Sequence, residues 1–255
     1  MTKIDLNPTR RILLSGIALG TLSVALAACS EEKQEPAAEA PAESSTSAAP
    51  AAPAEPAPAP AAASVELPKS DRDVDMAEAL KPGPLPEIAS GDPNAPVKII
   101  EYMSMTCPHC AHFHEATLGE IKKKYVDTGK VYFIIREFPF DPAATAAFML
   151  ARCAPAGQQD AFISMFLKQQ RAWAAPADGD VRGAMLQNAK LAGFTQESFE
   201  ACLTNQQLAA DVTSVRDRGA QEFGVQSTPT FLINGKAYSG DMSVDTMSAL
   251  IDSFL

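Results

Sequence analysis

The residues best suited to chemistry lie in one short run, Met105-Thr106-Cys107-Pro108-His109-Cys110-Ala111-His112-Phe113-His114. Two thiols separated by two residues can exchange a disulfide or hold a metal ion. All three histidines of the chain fall within eight residues of Cys107, so both chemistries must be weighed. On a helix, Cys107, Cys110 and His114 would lie along one face, leaving His109 and His112 turned away. A structural zinc site collects ligands from two separated elements, and the chain has no second CxxC or paired histidines. The spacing therefore favours redox chemistry, with no metal and no other cofactor expected. His112 and His114 read as ordinary helix positions.

The elements around this run must hold the first thiol at a helix start. Val97–Met103 is a β-rich apolar stretch preceded by turn-forming Gly91-Asp92-Pro93-Asn94-Ala95-Pro96. Pro108 suits the first turn of a helix, where its missing N–H would have no partner anyway. The layout predicts strand, short loop, then a helix opening at or beside Cys107. Free N–H groups and the positive helix end stabilise a thiolate, lowering Cys107 below the usual thiol range of about 8.5. A protonated His109 would add to this. Cys110, one turn on, should be more buried and resolve a mixed disulfide. Far along the chain, Val225-Gln226-Ser227-Thr228-Pro229-Thr230-Phe231-Leu232-Ile233-Asn234-Gly235 predicts a loop, a proline, a strand and a two-residue hairpin turn. A second strand over Lys236–Ser239 and a last helix over Val244–Phe254 should follow. A proline opening a strand inside a sheet needs a reason.

Together, the CPHC run and the Thr228-Pro229 strand, 119 residues after Cys110, resemble the thioredoxin superfamily and its DsbA-like branch most closely. The resemblance runs from Ala95 to Leu255. It implies an α/β, thioredoxin-like fold, a central mixed β-sheet flanked by helices, with an inserted all-helical domain over the active-site face. It implies a cis Pro229 facing the thiols, with Thr228 helping to bind the substrate backbone. It matches Glu101, six residues before Cys107, to a buried acid that assists proton transfer. An even offset along the strand puts Glu101 on the face of Met103 and Met105, while a solvent-facing edge position stays open. Threonine at 228 is found in isomerases and several relatives, valine in some oxidases, so the direction of electron flow is less defined than the chemistry.

Between a strand at Lys130–Arg136 and the proline loop, four stretches carry helical spacing: Ala143–Cys153, Gln158–Gln170, Asp180–Ala192 and Glu197–Leu203. Cys153 and Cys202 sit on two of them. The context of Cys202 resembles DsbA-like proteins with a second, non-catalytic disulfide. Closing a loop of about 50 residues would stabilise the fold by about 4 kcal/mol on the chain-entropy model. Two free thiols or a second redox pair are the alternatives. Trp173, the single tryptophan, is expected in core or lid packing.

The N-terminal quarter has a different composition. Arg10-Arg11 precede a short apolar run ending Leu26-Ala27-Ala28-Cys29, which reads as an export signal and resembles the lipobox of bacterial lipoproteins. That resemblance implies a lipid on Cys29. Residues 31–63 hold 14 Ala, 7 Pro and no aromatic residue, too little apolar surface to offset ordering entropy. The expected organisation starts with a lipoprotein signal peptide (1–28), then a lipidated cysteine and disordered linker (29–68). A leading thioredoxin-like segment (69–140), the helical insertion (141–218) and a closing thioredoxin-like segment (219–255) follow. The signal carries +2 and residues 31–63 carry −5, leaving −7 of the chain's −10 to the remainder. An acidic domain has no electrostatic reason to bind nucleic acid.

The expected function is a periplasmic, membrane-anchored oxidoreductase that donates disulfides to cysteine-containing exported polypeptides. Its reoxidation would fall to a quinone-linked, DsbB-like membrane partner, as the resemblance implies. A disulfide isomerase or reductase is the first rival, although residues 64–90 show no long amphipathic helix for dimerisation. A Cys/His metal-binding protein is the second.

Overall fold

A computed structural model describes residues 66–255. The signal peptide, Cys29 and nearly all of the linker lie outside the described residues. The chain enters through a short strand β1 (Arg72–Asp73), a one-turn helix α1 (Met76–Ala79) and a second short strand β2 (Ile88–Ser90). Strand β3 (Val97–Met103) leads into α2 (Pro108–Ala116), α3 (Leu118–Ile121) and a π-helical turn at Lys122–Val126. Strand β4 (Val131–Glu137) follows. The insertion then contributes α4 (Pro142–Cys153), α5 (Gln159–Lys168), α6 (Gln170–Ala174), α7 (Val181–Leu191), α8 (Gln196–Leu203) and α9 (Gln206–Phe223). Strands β5 (Thr230–Ile233) and β6 (Lys236–Ser239) and helix α10 (Val244–Asp252) complete the fold.

The six strands form one mixed sheet in the order β1-β6-β5-β3-β4-β2. Only β3 and β4 run parallel, joined by the α2–α3 crossover, and every other neighbour is antiparallel. Strand β3 lies between β4 and β5 with both faces covered, which is why it reads as a nearly unbroken apolar run rather than an alternating one. On one face, Ile99 and Met103 join Phe133, Ile135, Phe231 and Ile233 under α2 and the insertion. On the other, Ile100, Tyr102, Ile134 and Leu232 pack with Ala79, Phe223 and Val225. Helix α9 comes close to that second face because Gly219 has no side chain: a Cβ there would lie 2.6 Å from the Tyr102 ring.

The β5–β6 hairpin turns on Asn234 and Gly235, with φ of 42° and 92°, the left-handed pair that a two-residue turn of this type requires. The expected helix over Gln158–Gln170 is broken at Gln169, so that Gln170 opens α6 instead of closing α5. Trp173 is fully buried and donates its indole N–H to the Phe166 carbonyl at 2.7 Å. Cys153 ends α4 and is bonded to Cys202 of α8, with Cα atoms 6.2 Å apart. The disulfide implied by the resemblance is thus formed. Helix α9, absent from the expected elements, runs without a break through residue 218 and stops at Gly224, which takes a left-handed conformation (φ 63°).

Candidate active site

Cys107 occupies the N-cap of α2, with Pro108 in the first turn and no side chain capping the helix. The helix's leading N–H groups are therefore free to face a sulfur. Cys107 is half-buried and Cys110 fully buried, and both are thiols. Thr228-Pro229 is a cis peptide, and the Cys107 thiol donates to the Thr228 carbonyl at 3.3 Å across 121 residues of sequence. The two halves of the expected site therefore meet.

The environment separates the two thiols. Cys107 is lowered from an ordinary 9.0 to about 5, chiefly because the Cys110 thiol donates a hydrogen bond to its sulfur. Partial burial opposes this, while the Thr228 side chain and the N–H groups of Cys110 and His109 reinforce it. The Thr228 hydroxyl has no other partner among the described residues, so it can donate to the thiolate while the carbonyl favours the thiol. The His109 ring itself is exposed, and it is this residue's backbone that faces the sulfur. For Cys110, burial pushes the thiol strongly upward, and its hydrogen bond to Cys107 and the nearby Glu101 charge act in the same direction.

Glu101 is fully buried on β3, between Ile135 of β4 and Phe231 of β5, and not at a sheet edge. It is not alone. Glu101 Oε2 lies 2.9 Å from His114 Nε2, and the His114 side chain is 1% exposed. His114 is thus no ordinary helix position, contrary to expectation. Four residues after Cys110, it shares the buried face of α2. That spacing is visible in the sequence, but its partner on the strand is not. His112 instead pairs with Asp241 at the surface. Among the described residues, no group of three or more His, Cys, Asp or Glu side chains converges as metal ligands.

Two supports have no counterpart in the sequence reading. Gln170, at the start of α6, donates from Nε2 to the carbonyls of Met105 (2.9 Å) and Cys107 (3.0 Å). Thr106 donates to Asp141 Oδ2 at 2.6 Å, and Asp141 also caps α4 through the Ala144 N–H. The insertion thus holds the loop that carries the first cysteine from two directions. No local pattern announces a glutamine as such a clamp.

A family model described as thioredoxin matches residues 85–253. A Rickettsia conorii protein, provisionally named a protein-disulfide oxidoreductase, is 33% identical over 172 residues, covering 66% of this chain and 60% of its own. The chain spans about three-fifths of the length of the curated relatives it matches first. The crystal structure of Wolbachia pipientis alpha-DsbA1 superposes with a TM-score of 0.64 at 28% identity, covering 69% of this chain and 94% of that one. A protein-disulfide isomerase structure from Novosphingobium aromaticivorans shares the fold, with a TM-score of 0.59 at 23% identity, covering 66% of this chain and 96% of that one. With the match running from residue 85 to residue 253, the chain belongs to the thioredoxin family, and its helical insertion between β4 and β5 gives it the DsbA form of that fold.

Proposed function

We propose that this protein is a thiol:disulfide oxidoreductase that donates its Cys107–Cys110 disulfide to cysteine-containing exported polypeptides. The observation that carries the reading is the asymmetry of the pair: Cys107 is held as a thiolate down to about pH 5, while Cys110 is buried and held as a thiol. A stabilised Cys107 thiolate favours the reduced enzyme, and so makes the oxidised enzyme a strong disulfide donor. In the forward direction a substrate thiolate attacks Cys107 Sγ, the Cys107–Cys110 bond breaks, and its electron pair goes to Cys110. A second substrate thiolate then attacks the substrate sulfur of the mixed disulfide, and Cys107 leaves as a thiolate. Glu101, buried beside Cys110, serves as the proton donor and acceptor for that sulfur. Thr228 and cis-Pro229 border the approach to Cys107, where an extended substrate backbone would lie.

The setting proposed is outside the cytosol, in the periplasm, with Cys29 lipidated as the membrane anchor and a quinone-linked, DsbB-like partner restoring the disulfide. The signal-like N-terminus supports export, and so does the Cys153–Cys202 bridge, since such bridges persist in oxidising compartments. Among the described residues no helix is long and apolar enough to cross a membrane. The rival reading is an isomerase or reductase, favoured by Thr228.

The test is the reduction potential of the Cys107–Cys110 pair, equilibrated against glutathione with Cys153–Cys202 intact. A value near about −120 mV is expected of a disulfide donor, and one near about −270 mV would mark a reductant and overturn the donor reading.

A further inference from the structure

We propose that His114 is a positioning residue for disulfide exchange: its Nε2–H holds Glu101 Oε2, leaving Oε1 as the one oxygen through which Glu101 trades a proton with Cys110. This rests on the exchange chemistry proposed above and assigns a role to a residue which that reading does not use.

Three observations carry it. Cys110 and His114 stand four residues apart on α2, so their side chains lie one above the other on its inner face. Glu101 reaches up from β3 to the same place, with Oε2 at 2.9 Å from His114 Nε2. Glu101 Oε1 and His114 Nδ1 are both buried and have no hydrogen-bond partner among the described residues. An orphaned buried N–H is rarer and costlier than an orphaned acceptor. Nδ1 is therefore the bare nitrogen and Nε2 carries the hydrogen, so the ring is a neutral donor to Oε2. A charged ring would leave a buried N–H without a partner. With Oε2 accepting from the ring, the exchangeable proton of the carboxyl group belongs on Oε1, the oxygen left without a partner.

The step balances. When the enzyme disulfide opens, the Cys110 sulfur receives the electron pair of the broken bond and takes the Oε1 proton. Glu101 becomes a carboxylate, which the His114 N–H stabilises. When Cys110 closes on a Cys107 mixed disulfide, the proton returns to Oε1, the Cys110–Cys107 bond forms, and the outgoing thiolate leaves with the electrons of its old bond. The other charged groups packed around this place are few. Cys107 lies on α2 itself. On β4, Glu137 shares the sheet face and is bound to Arg152 of α4. The facing residues of β5, Phe231 and Ile233, carry no charge. Asp241 is taken by His112 at the surface.

The experiment follows release of glutathione from a Cys107–glutathione mixed disulfide in the full-length protein from pH 5 to 9, for wild type, His114→Leu and His114→Gln. The leucine variant, lacking the donor, should slow release about 10-fold at pH 7, within the range of general acid–base effects, with the pH midpoint of the step moved upward. Glutamine, which can still donate to Oε2, should recover most of the rate. The Cys107 thiolate absorbance should titrate near pH 5 in all three. Equal behaviour of the leucine variant and wild type, or equal slowing of both variants with an unmoved pH profile, overturns the proposal. Nitrogen-15 spectra of the unsubstituted protein test it without a variant: a neutral Nε2–H ring in both redox states is expected, and an imidazolium overturns it. A wild type that never releases glutathione overturns the exchange reading and this one with it. Normal release beside an unaffected leucine variant overturns this one alone.

Discussion

The two cysteine pairs contain the same atoms and sit at opposite ends of helices. Cys107 caps the N-terminus of α2, where free N–H groups and the positive end of the helix dipole favour a thiolate. Cys153 is the last residue of α4 and Cys202 the seventh of eight in α8, so both lie where the dipole is negative. The Cys202 sulfur also faces the Met149 carbonyl at 3.1 Å, an acceptor that does nothing for a thiolate. One pair is three residues apart and spans no loop worth closing, whereas the other is separated by 49 residues. Placement, not bond chemistry, gives one pair a stabilised thiolate and makes the other a staple.

Cys107→Ser should break the contrast most completely: disulfide transfer to a reduced peptide should fall at least about 10³-fold, while the Cys153–Cys202 bridge stays closed. The paired substitution Cys153→Ala with Cys202→Ala should do the reverse. It should cost about 4 kcal/mol in denaturant unfolding and leave the Cys107 titration near 5. Lost transfer activity at a temperature where that variant is folded would show that the two regions are coupled.

A pH series separates the pairs further. In the reduced protein, unfolded Cys107 holds a proton that the folded residue has released between about pH 5 and 9. The unfolded state therefore binds more protons there, and the stability of the reduced protein should rise with pH across that window and fall away towards pH 5. The oxidised protein lacks this contribution. Urea midpoints for both redox forms would check it, and parallel curves would refute it. Gln170→Leu removes the donor to two active-site carbonyls and should cost about 1–3 kcal/mol, measured by the same unfolding. The smallest effect is expected from Thr228→Val, which deletes one hydroxyl near the sulfur. The Cys107 thiolate absorbance should titrate somewhat above 5, with stability unchanged.

Much of this is legible in the sequence because it is local. Strand β3, the helix opening at Cys107, the Asn234-Gly235 turn and β6 each follow from neighbours within a few residues. Glu101 is legible as a matched acid, and its burial needs only that β3 be central. What stays hidden depends on distant partners. His114 acquires meaning only when α2 is laid over Glu101, and Gln170 only when α6 meets the Cys107 loop. Helix α9 escapes for another reason. Its buried residues Val212, Val215, Gly219 and Phe223 follow a helical spacing, but they are few among many polar neighbours, and one of them is a glycine chosen for the absence of a side chain. Strands β1 and β2, two and three residues long, are set by the edges of a sheet built elsewhere.

The order of the cysteines also bears on how the chain would be made. The described residues contain four, at 107, 110, 153 and 202; the first two are thiols and the last two are bonded, so each pair consists of cysteines next in line to each other. In a chain exported as proposed, with Cys29 capped by lipid, each bridge can close as its second member arrives. No earlier bond would need to be undone, so correct pairing could be reached by arrival order alone, without an isomerase.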